Sequence, residues 1–158
     1  MRLREAGGSA SHDHTLKVWD LDNGRALRTL EGHSDSVSSV AMVRGGKQAV
    51  SASEDKTLKV WDLDTGRMLR SLEGHSDGVS GVAVTTDGKQ AVSASQDSTL
   101  KVWDLDTGLL IATFHCDASA CCCAFVNEQR IIAGDEGGRV YILSLEESGR
   151  RTPTKVKA

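Results

Sequence analysis

Two sets of residues in this 158-residue chain have the types that hydrolases use. One is His33, Ser51 and Asp55; the other is His75, Ser93 and Asp97. A serine nucleophile, a histidine base and an aspartate orienting that base cleave esters and amides when hydrogen bonds link them. The two sets are copies, 42 residues apart at every position. Catalysis needs one activated site rather than a copy in each repeat, and no GxSxG elbow is present. The same residues also suit a buried polar network. Trp61 and Trp103 follow the two sets, and a buried indole N–H requires an acceptor. We assign no catalytic residue.

The run "HCDASACCCAF" holds all four cysteines, Cys116 and Cys121 to Cys123. Zinc sites use paired cysteines at spacings that converge on a tetrahedron. Three consecutive cysteines on a strand point to alternating faces and do not converge. They read as small apolar residues to be buried, with no metal ligand and no cofactor assigned. His12 and His14 flank Asp13 in a polar stretch that reads as a solvated turn.

The elements that carry these residues repeat. "LKVWDLD" stands at Leu16–Asp22, Leu58–Asp64 and Leu100–Asp106. Residues 32–73 overlay residues 74–115 without a gap, with about two thirds of positions identical. Each unit reads as four short strands. In the second unit these are residues 37–43, 48–53, 57–63 and 68–72, joined by turns such as "DTG", where glycine supplies the positive φ. Four-stranded antiparallel sheets at this period are the blades of a β-propeller. The fold class is therefore all-β, a propeller segment of about three and a half blades in an incomplete ring. Residues 1–31 make a partial first blade, 32–73 and 74–115 complete blades, 116–146 a degenerate terminal blade, and 147–158 a disordered basic tail. In the terminal blade the strands read as 121–126, 130–133 and 139–145, with no clear fourth.

"GH" at Gly32-His33 and Gly74-His75, with "WD" at Trp61-Asp62 and Trp103-Asp104, resembles the WD-repeat (WD40) family from about residue 6 to 145. The resemblance implies structural tetrads. Trp61 would donate to Ser51, Ser51 would link to His33, and His33 to Asp55. Trp103, Ser93, His75 and Asp97 would do the same. The first blade keeps Ser9, Asp13 and Trp19 as a partial tetrad. The terminal blade has Asp117, Ala133, Gly137 and Leu143 at the four positions, so its tetrad is lost.

Function is expected on positions that differ between repeats. In the family, loops on the tetrad side and the residue before the tetrad aspartate face partners. That implies His12, Ser36, Glu54, Gly78 and Gln96 as contact candidates. The net charge of −3 does not suggest a nucleic-acid surface. No apolar run reaches a membrane span, and the N-terminus has no signal-peptide core. These features favour a cytoplasmic protein. The ending "AGDEGGRVYILSLE" is similar to C-terminal propellers of bacterial signalling ATPases of the NACHT and NB-ARC type. The expected role is a protein-interaction scaffold or sensor, as part of a larger signalling protein. The alternatives are a homo-oligomer, such as a homo-dimer, that closes a ring, and a Ser-His-Asp hydrolase.

Overall fold

The computed structural model describes residues 6–43 and 45–145, and the backbone of 154–156. The described residues form fifteen strands in four antiparallel sheets, and none is helical. The first sheet has β1 (Ala6–Ala10), β2 (Leu16–Asp20) and β3 (Arg25–Leu30). The second has β4 (Val37–Met42), β5 (Gln48–Ser53), β6 (Leu58–Asp62) and β7 (Met68–Leu72). The third has β8 (Val79–Val84), β9 (Gln90–Ser95), β10 (Thr99–Asp104) and β11 (Leu110–His115). The fourth has β12 (Ala120–Asn127), β13 (Arg130–Asp135), β14 (Val140–Ser144) and β15 (Thr154–Val156). Strands neighbour one another in chain order within every sheet.

β15 corrects one expectation. Residues 147–158 read as a disordered tail, yet Thr154–Val156 pairs with Val140–Ile142 as a fourth strand. The physical reason is the open edge of β14, whose unpaired backbone groups are met by a short segment with two β-branched residues. The rest of that tail lies outside the described residues.

The cores lie between sheets. Leu16, Val18 and Leu30 of the first sheet meet Ala49, Trp61 and Leu63 of the second. Val50, Leu58, Val60 and Leu72 of the second meet Trp103 and Leu105 of the third. Val92, Leu100 and Val102 of the third meet Ile131, Ala133, Tyr141 and Leu143 of the fourth. An interior sheet thus buries both faces, which is why β6 and β10 are apolar at successive positions. Arginine latches reinforce two junctions: Arg28 donates to the Asp64 carbonyl, and Arg70 to the Asp106 carbonyl.

Candidate functional site

In the second sheet, the Asp55 carboxylate folds back on its own turn. It accepts from the Thr57 N–H at 3.0 Å and the Thr57 hydroxyl at 2.7 Å, while Lys56 takes a φ of 73°. Its other oxygen lies 2.7 Å from His33 Nδ1 and 3.1 Å from the Ser34 N–H. His33 Nε2 lies 2.7 Å from Ser51 Oγ, which accepts from Trp61 Nε1 at 2.8 Å. Every group is satisfied when His33 is neutral with its proton on Nδ1. The serine proton then goes to Nε2, since the competing Lys59 carbonyl is farther, at 3.4 Å. The third sheet repeats the chain. His75 lies 2.8 Å from Asp97 and 2.7 Å from Ser93, and Trp103 donates to Ser93 at 2.9 Å.

The glycine before each histidine is explained by the tryptophan. Gly32 has a φ of 151°, and a Cβ there would sit 3.2 Å from the Trp61 ring. Gly74 has a φ of 147° and the same approach, 3.3 Å, to Trp103. The backbone conformation and the close approach both favour glycine.

These are the distances of a hydrolytic triad, but the serines are inaccessible. Ser51 and Ser93 are fully buried, and each oxygen already holds an indole N–H. A scissile carbonyl cannot approach either. The arrangement fixes packing, as a fully satisfied polar chain does.

Burial pushes the pKa of His33 and His75 below 6.5, although the adjoining aspartates oppose this. For Asp55 and Asp97 burial acts upward. Hydrogen bonds from the neighbouring threonine, the histidine and a serine backbone N–H outweigh it and hold both at about 2. The stability consequence has one sign. A histidine with a folded pKa below 6.5 lets the unfolded chain take protons first, so stability is complete above 6.5 and falls below it. The aspartates add a second loss as pH falls from 3.8 towards about 2. We expect the urea midpoint to drop between about pH 7.5 and about pH 5.5. A midpoint that is flat or rises over that interval would contradict neutral, buried histidines.

The end sheets differ. In the first, Trp19 donates to Ser9 at 2.9 Å and Asp13 accepts from Thr15, but among the described residues no histidine joins them. In the fourth, Asp117, Ala133, Gly137 and Leu143 form no tetrad, but other residues replace it. Tyr141 donates to Asp135 at 2.6 Å and accepts from the Asp117 N–H at 3.0 Å. Tyr141 is buried, and its hydroxyl helps hold the Asp135 carboxyl below the usual range. Asp135 and Tyr141 stand where the preceding repeat has Ser95 and Lys101. The one available signal was that Tyr141 is the only tyrosine in the chain.

Four of the five contact candidates form one polar chain along the rim above the tetrads. His12 Nδ1 lies 3.2 Å from Ser36 Oγ, bridging the first and second sheets. The Ser36 carbonyl accepts from the Glu54 N–H at 2.9 Å. The Glu54 carboxylate accepts from Ser38 at 3.1 Å and from Gln96 of the third sheet at 2.8 Å. An open cleft of about 590 Å³ lies beside them, lined by residues including His12, Ser36, Ser38 and Glu54. Gly78 is a correction. It is buried beneath the Glu54–Gln96 bridge, and a Cβ there would collide with the Glu54 carboxylate. A glycine at this position leaves room for the bridge.

The cysteines are also corrected in part. Cys121 and Cys122 are exposed, not buried, because β12 shifts register between Ala120 and Cys122 and breaks the alternation there. Cys123 points inward, its sulfur 3.4 Å from the Val92 carbonyl, and burial pushes its thiol up to about 12. Alkylation followed by peptide mapping should modify Cys123 last. Modification of Cys123 as early as Cys121 would argue against this packing. Among the described residues no three His, Cys, Asp or Glu side chains are grouped to hold a metal.

Known proteins share this architecture. A solved structure of the RRP9 WD40 repeats superposes with a TM-score of 0.88 at 23% identity, covering 96% of this chain and 47% of that one. A structure of U3-55K gives 0.85 at 24% identity, covering 91% and 46%. The fold is a WD40-type β-propeller segment. Family models agree. The WD domain, G-beta repeat model matches residues 24–62, and the TEP-1 C-terminal beta-propeller model matches residues 75–145. Local WD40 matches include a Lissencephaly-1 homolog of Caenorhabditis briggsae, 48% identical over 40 residues, which are 25% of this chain and 10% of that protein. Mitochondrial division protein 1 of Eremothecium gossypii is 50% identical over 32 residues, 20% of this chain and 4% of that protein. The matched stretches thus cover a tenth or less of these curated relatives, and the chain spans just under half of the solved chains.

Proposed function

We propose that this chain is a non-catalytic protein-interaction module, a scaffold or sensor that engages a protein partner through the rim on its tetrad side. WD40 propellers generally mediate protein–protein interactions. One observation carries the reading: His12, Ser36, Glu54 and Gln96 form a continuous polar chain across three sheets beside an open cleft. The tetrads below are buried and self-satisfied, so they support that rim and offer nothing to a substrate. The wider setting, a larger cytoplasmic signalling protein of the NACHT or NB-ARC type, rests on the resemblance of the terminal repeat. The test is affinity capture with wild type and with a Ser36→Tyr, Gln96→Ala double variant, followed by mass spectrometry. The expected result is a set of proteins retained by wild type and lost by the variant. Identical capture by both would remove the rim from consideration. Ester hydrolysis by wild type that disappears in Ser93→Ala would instead establish an enzyme.

A further inference from the structure

One turn of the first repeat carries a chemistry that its copies lack. Residues 20–24 read "DLDNG", where the second and third repeats read "DLDTG". Asn23 thus stands where Thr65 and Thr107 stand, each followed by glycine. A side-chain amide just before a glycine is open to attack by the glycine's own backbone nitrogen, which no Cβ shields. Threonine offers no such carbonyl. The turn lies at the far end of β2 from Asp13, on the side opposite the tetrads. Asn23 is exposed, and that does not depend on what packs beside the first sheet. Thr65 and Thr107 are exposed as well, although Arg28 and Arg70 of the preceding sheets lie against Gly66 and Gly108.

Three hydrogen bonds hold the reacting groups. The Gly24 N–H donates to the Asp20 carbonyl at 2.8 Å. Asn23 Nδ2 donates to the Asp20 carboxylate at 3.1 Å, and Asn23 Oδ1 accepts from the Arg25 N–H at 3.0 Å. These bonds slow the attack but do not forbid it. Asp22, Asn23, Gly24 and Arg25 are all exposed, so the tip opens locally without uncovering a core.

We propose that Asn23 is a deamidation site of the folded chain. The Gly24 nitrogen gives up its proton and bonds to Asn23 Cγ. The Cγ–Nδ2 bond breaks, and the amide leaves with that proton as ammonia. Water then opens the cyclic imide. Opening at Cγ gives aspartate, and opening at the backbone carbonyl gives isoaspartate. Either product adds a carboxylate to a turn that already holds Asp20 and Asp22. Isoaspartate also lengthens the backbone just before Arg25, where β3 begins. β3 carries Arg28, the latch to the second sheet, so the change bears on that junction. The proposal stands independently of the rim reading, because none of its residues belongs to the rim.

Asn127, the other asparagine of the chain, is a built-in control. It is exposed, and its Oδ1 accepts from the Gln129 N–H at 2.9 Å, the same bond that Asn23 makes to Arg25. It is followed by Glu128, whose side chain crowds the attacking nitrogen. The experiment incubates the whole chain in mildly alkaline buffer, beside an Asn23→Thr variant that restores the residue of the other two repeats. Circular dichroism accompanies each sample. Peptide mapping by mass spectrometry and enzymatic methylation of isoaspartate read the products. The expected result for folded wild type is the amide-to-acid mass gain at residue 23, as aspartate and isoaspartate, with Asn127 far behind. Asn23→Thr should show no gain in that peptide. Conversion of Asn127 as fast as Asn23 would overturn the proposal. So would a residue 23 that stays intact in the folded chain and converts only in urea, because the three bonds would then lock the turn.

Discussion

Replacing Trp103 with alanine should lower the unfolding free energy by about 3–5 kcal/mol. The ring is 1% exposed and lies in the core between the second and third sheets, among Val50, Leu58, Val60 and Leu72. Its loss removes that contact area and opens a cavity that two rigid sheets cannot collapse into. It also takes the indole N–H from Ser93. Urea unfolding followed by far-ultraviolet circular dichroism reads the change. An internal control is built into the repeat. Trp19 has the same sequence position and the same bond to serine, at 2.9 Å, but is only half-buried. Trp19→Ala should cost clearly less. Equal costs at the two sites would mean that tryptophan acts within its own blade and not as the joint between blades.

The second large effect is expected at the centre of a tetrad. His75→Ala should cost about 1–3 kcal/mol, because it strands the partners on both sides of the ring. Ser93 loses the acceptor for its proton, and Asp97 loses one of four donors. Asp97 keeps the Ser76 and Thr99 contacts, which bounds the loss. His12→Ala is the comparison, since His12 is exposed and bonds only at the rim. It should change stability little. The His75 variant should also lose part of the decline in stability below pH 6.5, because one buried neutral histidine is gone. A neutral His75→Ala would undo the tetrad as a source of stability, whatever its geometry.

Much of this was legible because a blade makes the same demand each time. The third strand must be apolar on both faces and carry a tryptophan at a fixed place, so β6 and β10 share one sequence. The tetrad positions followed from Gly-His and Trp-Asp at constant spacing. The terminal blade was not legible for the same reason. Aligning it on the repeat lands on Ala133, Gly137 and Leu143, while the working residues, Asp135 and Tyr141, sit two positions away along their strands. Cys121 was misread because alternation predicts faces only where register is kept, and a bulge in β12 breaks it. Gly78 was misread because a difference between repeats looked like freedom, when it is a vacancy that the Glu54–Gln96 bridge fills.

The identity of β2, β6 and β10, each containing Leu-Lys-Val-Trp-Asp, has a kinetic consequence. While the chain is folding, β5 gains the same side-chain contacts from β10 as from β6, so sequence cannot tell the right partner from the wrong one. Proximity decides. The native hairpin closes a short loop, whereas the exchanged pairing must close a loop longer by a full repeat, an entropic difference of only about 1–2 kcal/mol. Refolding should therefore carry a slow fraction in which strands have traded places and must separate before they can pair again. Its amplitude should grow with the similarity of neighbouring repeats. The uniformity that lets one strand serve every blade also makes its copies rivals for the same neighbour.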